Sequence, residues 1–481
     1  MSLYSNSVVY RSTLAFSLLF LLTGCATYGV IDNRPIPASE PTASYSIKAV
    51  SQQHHVGEIS LVLAFSGGGT RAAALAYGVL EALRDTTIIV DGQPRRMLDE
   101  VDVISSVSGG SFTSAYYGLN GDRTFDDFEQ VFLRQDIDKQ LIHGLFNPLR
   151  WFSSSGRTEM AVAAYEKSVF RGATFADLQQ RSGPLILINA SDLNYGSRFS
   201  FIQENFNLLC SDISTFPVAR AVTASSSVPI LFNPVVVENF KGCTHVNQEI
   251  LQAAAKKSVS SPQMRQVVQG LESYYDKDNR RYIHLVDGGV TDNLGLRAIY
   301  EVIEVAGGAR AFLKMVGRKP VRRFAVISVN ASTEANFRMD ASNKQPSLED
   351  TINAVTKAQL HRYNAATLEL LKESINRWAE EVSTADNHIT PYFVQVNFSN
   401  ISNPEKRDFI NSIPTRFSLT NEQVDALIAA GHELLRNNPD YQRFIADVGG
   451  TSAPPPETAP ATTGNREQVS DKMCYKSLSD C

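Results

Sequence analysis

The chain has 481 residues, and its 45 lysines and arginines against 50 aspartates and glutamates give a formal net charge of −5 at pH 7. That mild acidity argues against nucleic acid as a partner and against electrostatic adhesion to anionic lipid. Five cysteines and eight histidines show no Cys-x-x-Cys or Cys/His spacing, so neither a metal site nor an organic cofactor is implied.

In chain order, Arg11 precedes an apolar run over residues 14–22, too short to span a bilayer and long enough for the core of a signal peptide. The run ends in Leu22-Thr23-Gly24-Cys25, which resembles the bacterial lipoprotein cleavage box. The resemblance implies removal of residues 1–24, acylation of Cys25 and, with Ala26 following it, sorting to the outer membrane of the cell envelope. Residues 25–56 hold Pro35, Pro37 and Pro41 without periodicity and read as a flexible tether. Export leaves Cys210, Cys243, Cys474 and Cys481 in an oxidising compartment. Nearest-neighbour pairing joins Cys210 to Cys243 and Cys474 to Cys481, one of three connectivities.

The globular part is expected over residues 57–448. Strand-like runs at 59–65, 101–105, 185–190, 282–286, 324–329 and 392–398 alternate with helical patterns, which argues for a mainly parallel sheet sandwiched by helices. In such sheets, ligands bind outside the carboxyl ends of the strands. The first run leads into Ser66-Gly67-Gly68-Gly69-Thr70-Arg71 and a helical pattern over 72–83. The second leads into Ser106-Val107-Ser108-Gly109-Gly110, where Ser108 falls on a strand-to-helix turn. The fourth ends in Asp287-Gly288-Gly289, whose glycines permit a chain reversal. Residues 120–180 hold Phe146, Leu149, Trp151 and Phe152 and read as a helical insertion packed on the core, with a lid as the alternative. Leu368, Leu371, Ile375, Trp378 and Val382 form one apolar stripe on a long helix over 347–382. Thr420 with Gln423 makes a capping box for a helix burying Val424, Leu427, Ile428 and Leu434. From Gly449 the tail, residues 449–481, is rich in proline, threonine and alanine and is expected to be disordered.

Three glycine junctions in this order, Gly-Gly-Gly-x-Arg, Ser-x-Gly and Asp-Gly-Gly, resemble the patatin-like phospholipase family over roughly residues 57–300. The resemblance implies a three-layer α/β/α fold and a serine–aspartate dyad acting on lipid acyl esters, with a membrane lipid or lysolipid as substrate. Ser108 would be the nucleophile and Asp287 its base, with the Gly67, Gly68 and Gly69 amides as oxyanion hole. Gly109, Gly110, Gly288 and Gly289 would support the two turns. Arg71 is expected either beside the oxyanion loop, as in the family pattern, or paired with Glu81 or Asp85. The block Ala224-Ser225-Ser226-Ser227-Val228-Pro229 resembles a family segment behind the serine; by itself it reads as a helix ending at a proline. Asp192 is expected to be structural, and Asn293 to brace the loop of the base. Ser106 stands where glycine is usual, and its small side chain should be tolerated.

The chemistry agrees with these residue types. A serine hydroxyl needs a base to take its proton. A free aspartate, with a pKa of about 3.9, is a poor one unless burial raises it. A modest base suits esters better than peptide bonds. Three rivals stand against this reading. Gly67-x-Gly69-x-x-Ala72, with Asp91 after a short β-rich run, fits a dinucleotide fingerprint. His361, His388 or His432 would complete a Ser–His–Asp triad. A non-catalytic envelope lipoprotein would use the same fold as a binding scaffold.

Overall fold

The structure, a computed structural model, describes residues 28–36, 45–53, 57–90, 92–136, 156–229, 231–243, 248–334, 340 and 342–452. The expectations for Cys25, Asp91, the aromatic residues 146–152, Cys474 and Cys481 lie outside the described residues.

Seven strands make the path of the main sheet: β1 (Ile59–Phe65), β2 (Val101–Val107), β3 (Leu185–Asp192), β4 (Val235–Glu238), β5 (Tyr282–Asp287), β6 (Arg323–Asn330) and β7 (Thr390–Asn397). Their order is β7-β6-β1-β2-β3-β5-β4, and a short strand, Arg198–Ser200, pairs beside β3. From β7 to β3 the strands are parallel. β1 and β3 are buried almost throughout because helices cover both faces, and β1 and the first half of β3 have accordingly lost polar alternation.

Alternate residues of β1 serve two cores. Leu61, Leu63 and Phe65 enter the larger one. Helices α1 (Thr70–Arg84), α2 (Gly109–Asn120) and α3 (Val218–Ser225) contribute to that core. Val62 and Ala64 enter the smaller core with α4 (Leu296–Ala306) and α5 (Leu348–Val382). The apolar stripe of α5 lands there, with Leu371, Ile375, Trp378 and Val382 buried. This period-two partition of one strand is the three-layer α/β/α architecture in miniature.

Helix α6 (Asn421–Arg436) opens with the expected box. The Gln423 amide donates to Thr420 Oγ1 at 3.2 Å, and the Thr420 amide donates to Gln423 Oε1 at 3.1 Å. It crosses α1 at backbone contact: a Cβ on Gly78 would overlap the Ile428 carbonyl, and one on Gly431 would lie 2.6 Å from the Leu75 carbonyl oxygen. Ile428 is only partly buried, whereas Val424, Leu427 and Leu434 are buried.

The segment expected to be a flexible tether is corrected in part. Arg34–Pro35 pairs antiparallel with Ser211–Asp212, and a short helix, Ile47–Gln53, buries Ile47 and Val50. The reason is an exposed strand edge. Near its start β3 is paired by β2 alone, and the buried Tyr45 hydroxyl accepts the Ile186 amide at 2.7 Å and donates to the Ile186 carbonyl at 3.2 Å. Proline content in the sequence carries no sign of that anchor.

On either side of the residues left undescribed in the insertion, the buried Phe132, Tyr165 and Phe170 gather about Phe112, with the Phe112 and Phe132 ring centroids 4.2 Å apart, and the buried Phe128 stacks on Phe132. Cys210 and Cys243 form the expected disulfide, their Cα atoms 5.5 Å apart. Among the described residues no helix is long and apolar enough to cross a membrane.

Candidate active site

β2 delivers Ser108 at its carboxyl end in a backbone conformation that side chains rarely adopt, φ 50° and ψ −121°. Such strain persists only where neighbours enforce it. Here the Ser108 amide donates to Ser225 Oγ at 2.8 Å, and its carbonyl accepts from Ser111 at 2.9 Å. The glycines that follow admit a second chain segment. A Cβ on Gly109 would overlap the Gly69 carbonyl, and one on Gly110 would lie 2.8 Å from Ser66 O and Phe65 Cβ. Ser106 is tolerated for a polar reason: its buried hydroxyl accepts from Ser114 Oγ at 2.6 Å and donates to Leu187 O at 3.3 Å.

The loop after β1 lies against this turn. Gly68 and Gly69 have φ of 143° and 61°, and a Cβ on Gly69 would collide with the Arg416 carbonyl. One expectation is corrected here. The Gly67 amide donates to the Asn293 carbonyl at 2.9 Å, so it is not free for a substrate oxygen. The Gly68 and Gly69 amides have no acceptor among the described residues.

Arg71 is buried and pairs with neither Glu81 nor Asp85. Its Nε donates to Ala331 O at 2.9 Å and its Nη1 to Ile413 O at 2.7 Å. Its Nη2 lies 3.5 Å from where a Gly68 side chain would begin. Burial without a carboxylate partner lowers its pKa to about 10, so it remains a cation at neutral pH, set behind the loop.

Asp287 reaches the site from an unexpected direction. β5 runs antiparallel to both β3 and β4, with Asp287 opposite Ala190. Its carboxyl end therefore comes down onto the carboxyl edge of the parallel strands, which β1 and β2 reach from below. The Ser108 side chain is close enough to the Asp287 carboxylate to pull its pKa down, and the Gly289 amide donates to its Oδ1 at 2.7 Å. Burial outweighs both and raises the Asp287 pKa to about 6. Gly288 is required sterically, because a Cβ there would overlap the Asn189 carbonyl.

Sequence reasoning understated the stretch from Ser225 to Ser227. Ser225 Oγ accepts the Ser108 amide and donates to Asn189 O at 2.6 Å. The Ser225 carbonyl accepts the Gly288 amide at 3.0 Å, and the Ser227 carbonyl accepts the Asp287 amide at 2.9 Å. One segment thus holds both turns. Asn293 braces the glycine loop through its carbonyl, and its Oδ1 sits 2.7 Å from a Cβ built on Gly67. Asp192 is structural: it pairs with Arg280, accepts from Tyr274 at 3.1 Å and caps its own turn.

The rivals find little support in the geometry. His432 Nε2 faces Glu81 Oε2 at 3.0 Å on α6, while His388 is exposed beyond α5. Among the described residues no histidine is hydrogen-bonded to Asp287. The β-rich run before Asp91, Thr86–Val90, pairs with Gln93–Arg96 and Thr451–Ser452 in a separate antiparallel sheet, where a dinucleotide fold needs a parallel neighbour.

A sheet covered on both faces by helices thus carries a serine turn, a glycine loop and a buried carboxylate at one edge. Residues 63–300 match the family described as patatin-like phospholipase. No curated protein is detectably similar in sequence. Among solved structures, the human GIVD cytosolic phospholipase A2 is similar at 12% identity and a TM-score of 0.41, over 84% of this chain and 62% of that one. VipD from Legionella pneumophila is similar at 11% identity and a TM-score of 0.32, over 90% of this chain and 73% of its own.

Proposed function

We propose that the protein is a lipid-anchored serine hydrolase that cleaves acyl esters of membrane lipids or lysolipids through an acyl-enzyme on Ser108. The observation that carries this reading is the nearness of the Ser108 side chain to the buried Asp287 carboxylate, at a turn strained to φ 50°. Asp287 takes the hydroxyl proton as Ser108 Oγ attacks the ester carbonyl, and returns it to the departing alcohol. Water then attacks the acyl-enzyme, with Asp287 again as base and acid in turn. The oxyanion is held by the Gly68 and Gly69 amides together with that of Gly109, whose backbone abuts Gly69. Each such donor is typically worth about 3 kcal/mol in the transition state. A carboxylate with a pKa near 6 is a modest base, so ester turnover should far exceed amide turnover.

A fluorophosphonate probe and a chromogenic short-chain ester test the reaction. The probe should add to the wild-type protein at Ser108, and Ser108→Ala and Asp287→Asn should each lose at least 1,000-fold in ester hydrolysis, roughly the triad-scale loss. A folded wild-type protein that neither reacts nor turns over would favour the scaffold reading. Anchoring through Cys25 at the outer membrane belongs to the same proposal. Metabolic labelling with radioactive palmitate should mark the protein and fail in Cys25→Ala.

A further inference from the structure

Residues 28–36 run along the outer edge of the sheet in a definite direction. The Asn33 side chain grips both backbone groups of Glu238, donating to its carbonyl at 2.8 Å and accepting its amide at 2.9 Å. Gly29 lies against Val236, where a Cβ would be 2.4 Å from Cγ2. Tyr28 shares a small cavity with Asn233 and His284. In the sheet Glu238 stands opposite Tyr282, Val236 opposite His284, and Val235 opposite Leu285, two residues short of Asp287. Followed toward its amino terminus, the segment therefore travels along β4 toward the level of Asp287. Asp32 fixes it there by pairing with Arg220 of α3.

The chain from α3 to β4 borders the site on the same side. Its Ser227 carbonyl accepts the Asp287 amide at 2.9 Å. Phe232 meets Phe417 edge to face at 6.0 Å, and the Phe417 carbonyl accepts from Thr70 Oγ1, next to the glycine loop, at 2.8 Å. Asn233 then reaches the cavity beside Tyr28. Between these fixed points Val228 and Leu231 are 37% and 57% exposed, and Val290, on the turn after Asp287, is 56% exposed. Scattered singly, such side chains would need no explanation; gathered around one site they mark a contact surface.

We propose that Val228, Leu231 and Val290 form the face on which the protein rests against the membrane holding its own Cys25 lipid, so that it hydrolyses lipids of that membrane. The inference rests on the acylation of Cys25 proposed above. Cys25 is three residues from Tyr28, and three residues span at most about 11 Å. A lipid on Cys25 is thus tied within that reach of a residue in contact with the rim, and this edge of the sheet is kept at the bilayer surface. The anchor also settles why the occupant is lipid. A net charge of −5 supplies no attraction to anionic head groups, whereas a chain already inserted beside three apolar side chains presents them to the bilayer at high effective concentration.

The full chain carrying Ser108→Ala, produced with its leader and reconstituted into phosphatidylethanolamine–phosphatidylglycerol vesicles, tests the orientation without turnover. Leu231→Trp or Val290→Trp places an indole on the face. Ile89→Trp places one clear of it, beyond the far end of α1, which runs roughly 22 Å back from the glycine loop. Lipids brominated on their acyl chains should quench the emission added by Leu231→Trp and Val290→Trp at least twofold, and that of Ile89→Trp by less than a tenth. In the chain with Ser108 intact, phospholipid of the host vesicle should be hydrolysed at least tenfold faster than that of acceptor vesicles. Leu231→Asp should lower the ratio of host-vesicle to soluble-ester hydrolysis at least tenfold.

Protein that does not float with the vesicles overturns the anchoring reading and this inference together. Floating protein in which both face indoles escape quenching, or in which Ile89→Trp is quenched equally, overturns the inference alone and assigns the face to a second copy or another part of the chain. Equal hydrolysis of host and acceptor vesicles also overturns it. A protein inactive even on soluble ester sinks the catalytic reading and hydrolysis of the host membrane with it, while the quenching still decides the face. Circular dichroism confirms that each variant is folded, and either face variant suffices if the other does not fold.

Discussion

Ser225 holds Ser108 in place: its Oγ accepts the Ser108 amide hydrogen at 2.8 Å at a turn where φ is 50°. The same residue accepts the Gly288 amide through its carbonyl, so the turns of the hydroxyl and of the carboxylate share one support. The spacing between Ser108 and Asp287 is therefore set by a third segment, at the end of α3.

Replacing that support should show in catalysis without touching the reacting atoms. Ser225→Ala leaves the Ser108 amide buried and unpaired, a cost of roughly 1–3 kcal/mol. We expect kcat for a chromogenic ester to fall about 10- to 100-fold, since small misplacements carry penalties of that order. KM should change little. Ser225→Thr, which keeps the hydroxyl, should recover much of the loss. Equal activity in Ser225→Ala and wild type would remove Ser225 from any positioning role.

The Asp287 pKa of about 6 gives the reaction its pH dependence. The base works only when ionised, so log(kcat/KM) should rise by about one per pH unit below 6 and level off above it. A profile still climbing between pH 7 and 8 would instead indicate a different titrating group.

The same burial has a stability sign. A folded-state pKa raised from 3.8 to about 6 means that the folded protein binds this proton more tightly than the unfolded chain. The contribution is complete below pH 4 and is lost as pH rises through 6. At about 1.4 kcal/mol per pH unit it is on the order of 3 kcal/mol. Asp287→Asn stays neutral at every pH and keeps an acceptor for the Gly289 amide. It should melt higher than wild type at pH 7.5, with the gap closing toward pH 4. Thermal scans at the two pH values decide it.

Ser106→Gly restores the residue usual at that position in related turns, yet it should not help. It removes the 2.6 Å partner of Ser114 Oγ from a fully buried site. A stability loss of about 1 kcal/mol is expected, with ester hydrolysis little changed, because the Ser106 hydroxyl bonds to Ser114 and Leu187 and to neither Ser108 nor Asp287. Denaturant unfolding and initial rates provide the two readings.

Gly109→Ala should be far more severe, because the added methyl would overlap the Gly69 carbonyl. The glycine loop must then move off the Ser108 turn. Activity should drop at least 100-fold, the order of losing one oxyanion donor, while far-ultraviolet circular dichroism remains that of the wild type.

Much of this could be read along the chain, and the reasons are local. A β-branched run ending in glycines marks a strand and its turn, and the α5 stripe and the Thr420 box mark helices by spacing alone. Cys210 and Cys243 also met as nearest neighbours. The sequence by itself determined which residues stand at the three glycine junctions, because turn preference and hydrophobic period are properties of neighbouring residues. Only the tertiary structure decided which amides remain free, since the Gly67 donor is consumed by Asn293, more than two hundred positions away. It alone decided that β5 descends antiparallel, that Arg71 grips two carbonyls rather than a carboxylate, and that Tyr45 ties residues expected to be loose to the edge of β3. Each of these depends on partners distant in the chain, and hydrogen bonds between distant segments leave no period or spacing in a sequence.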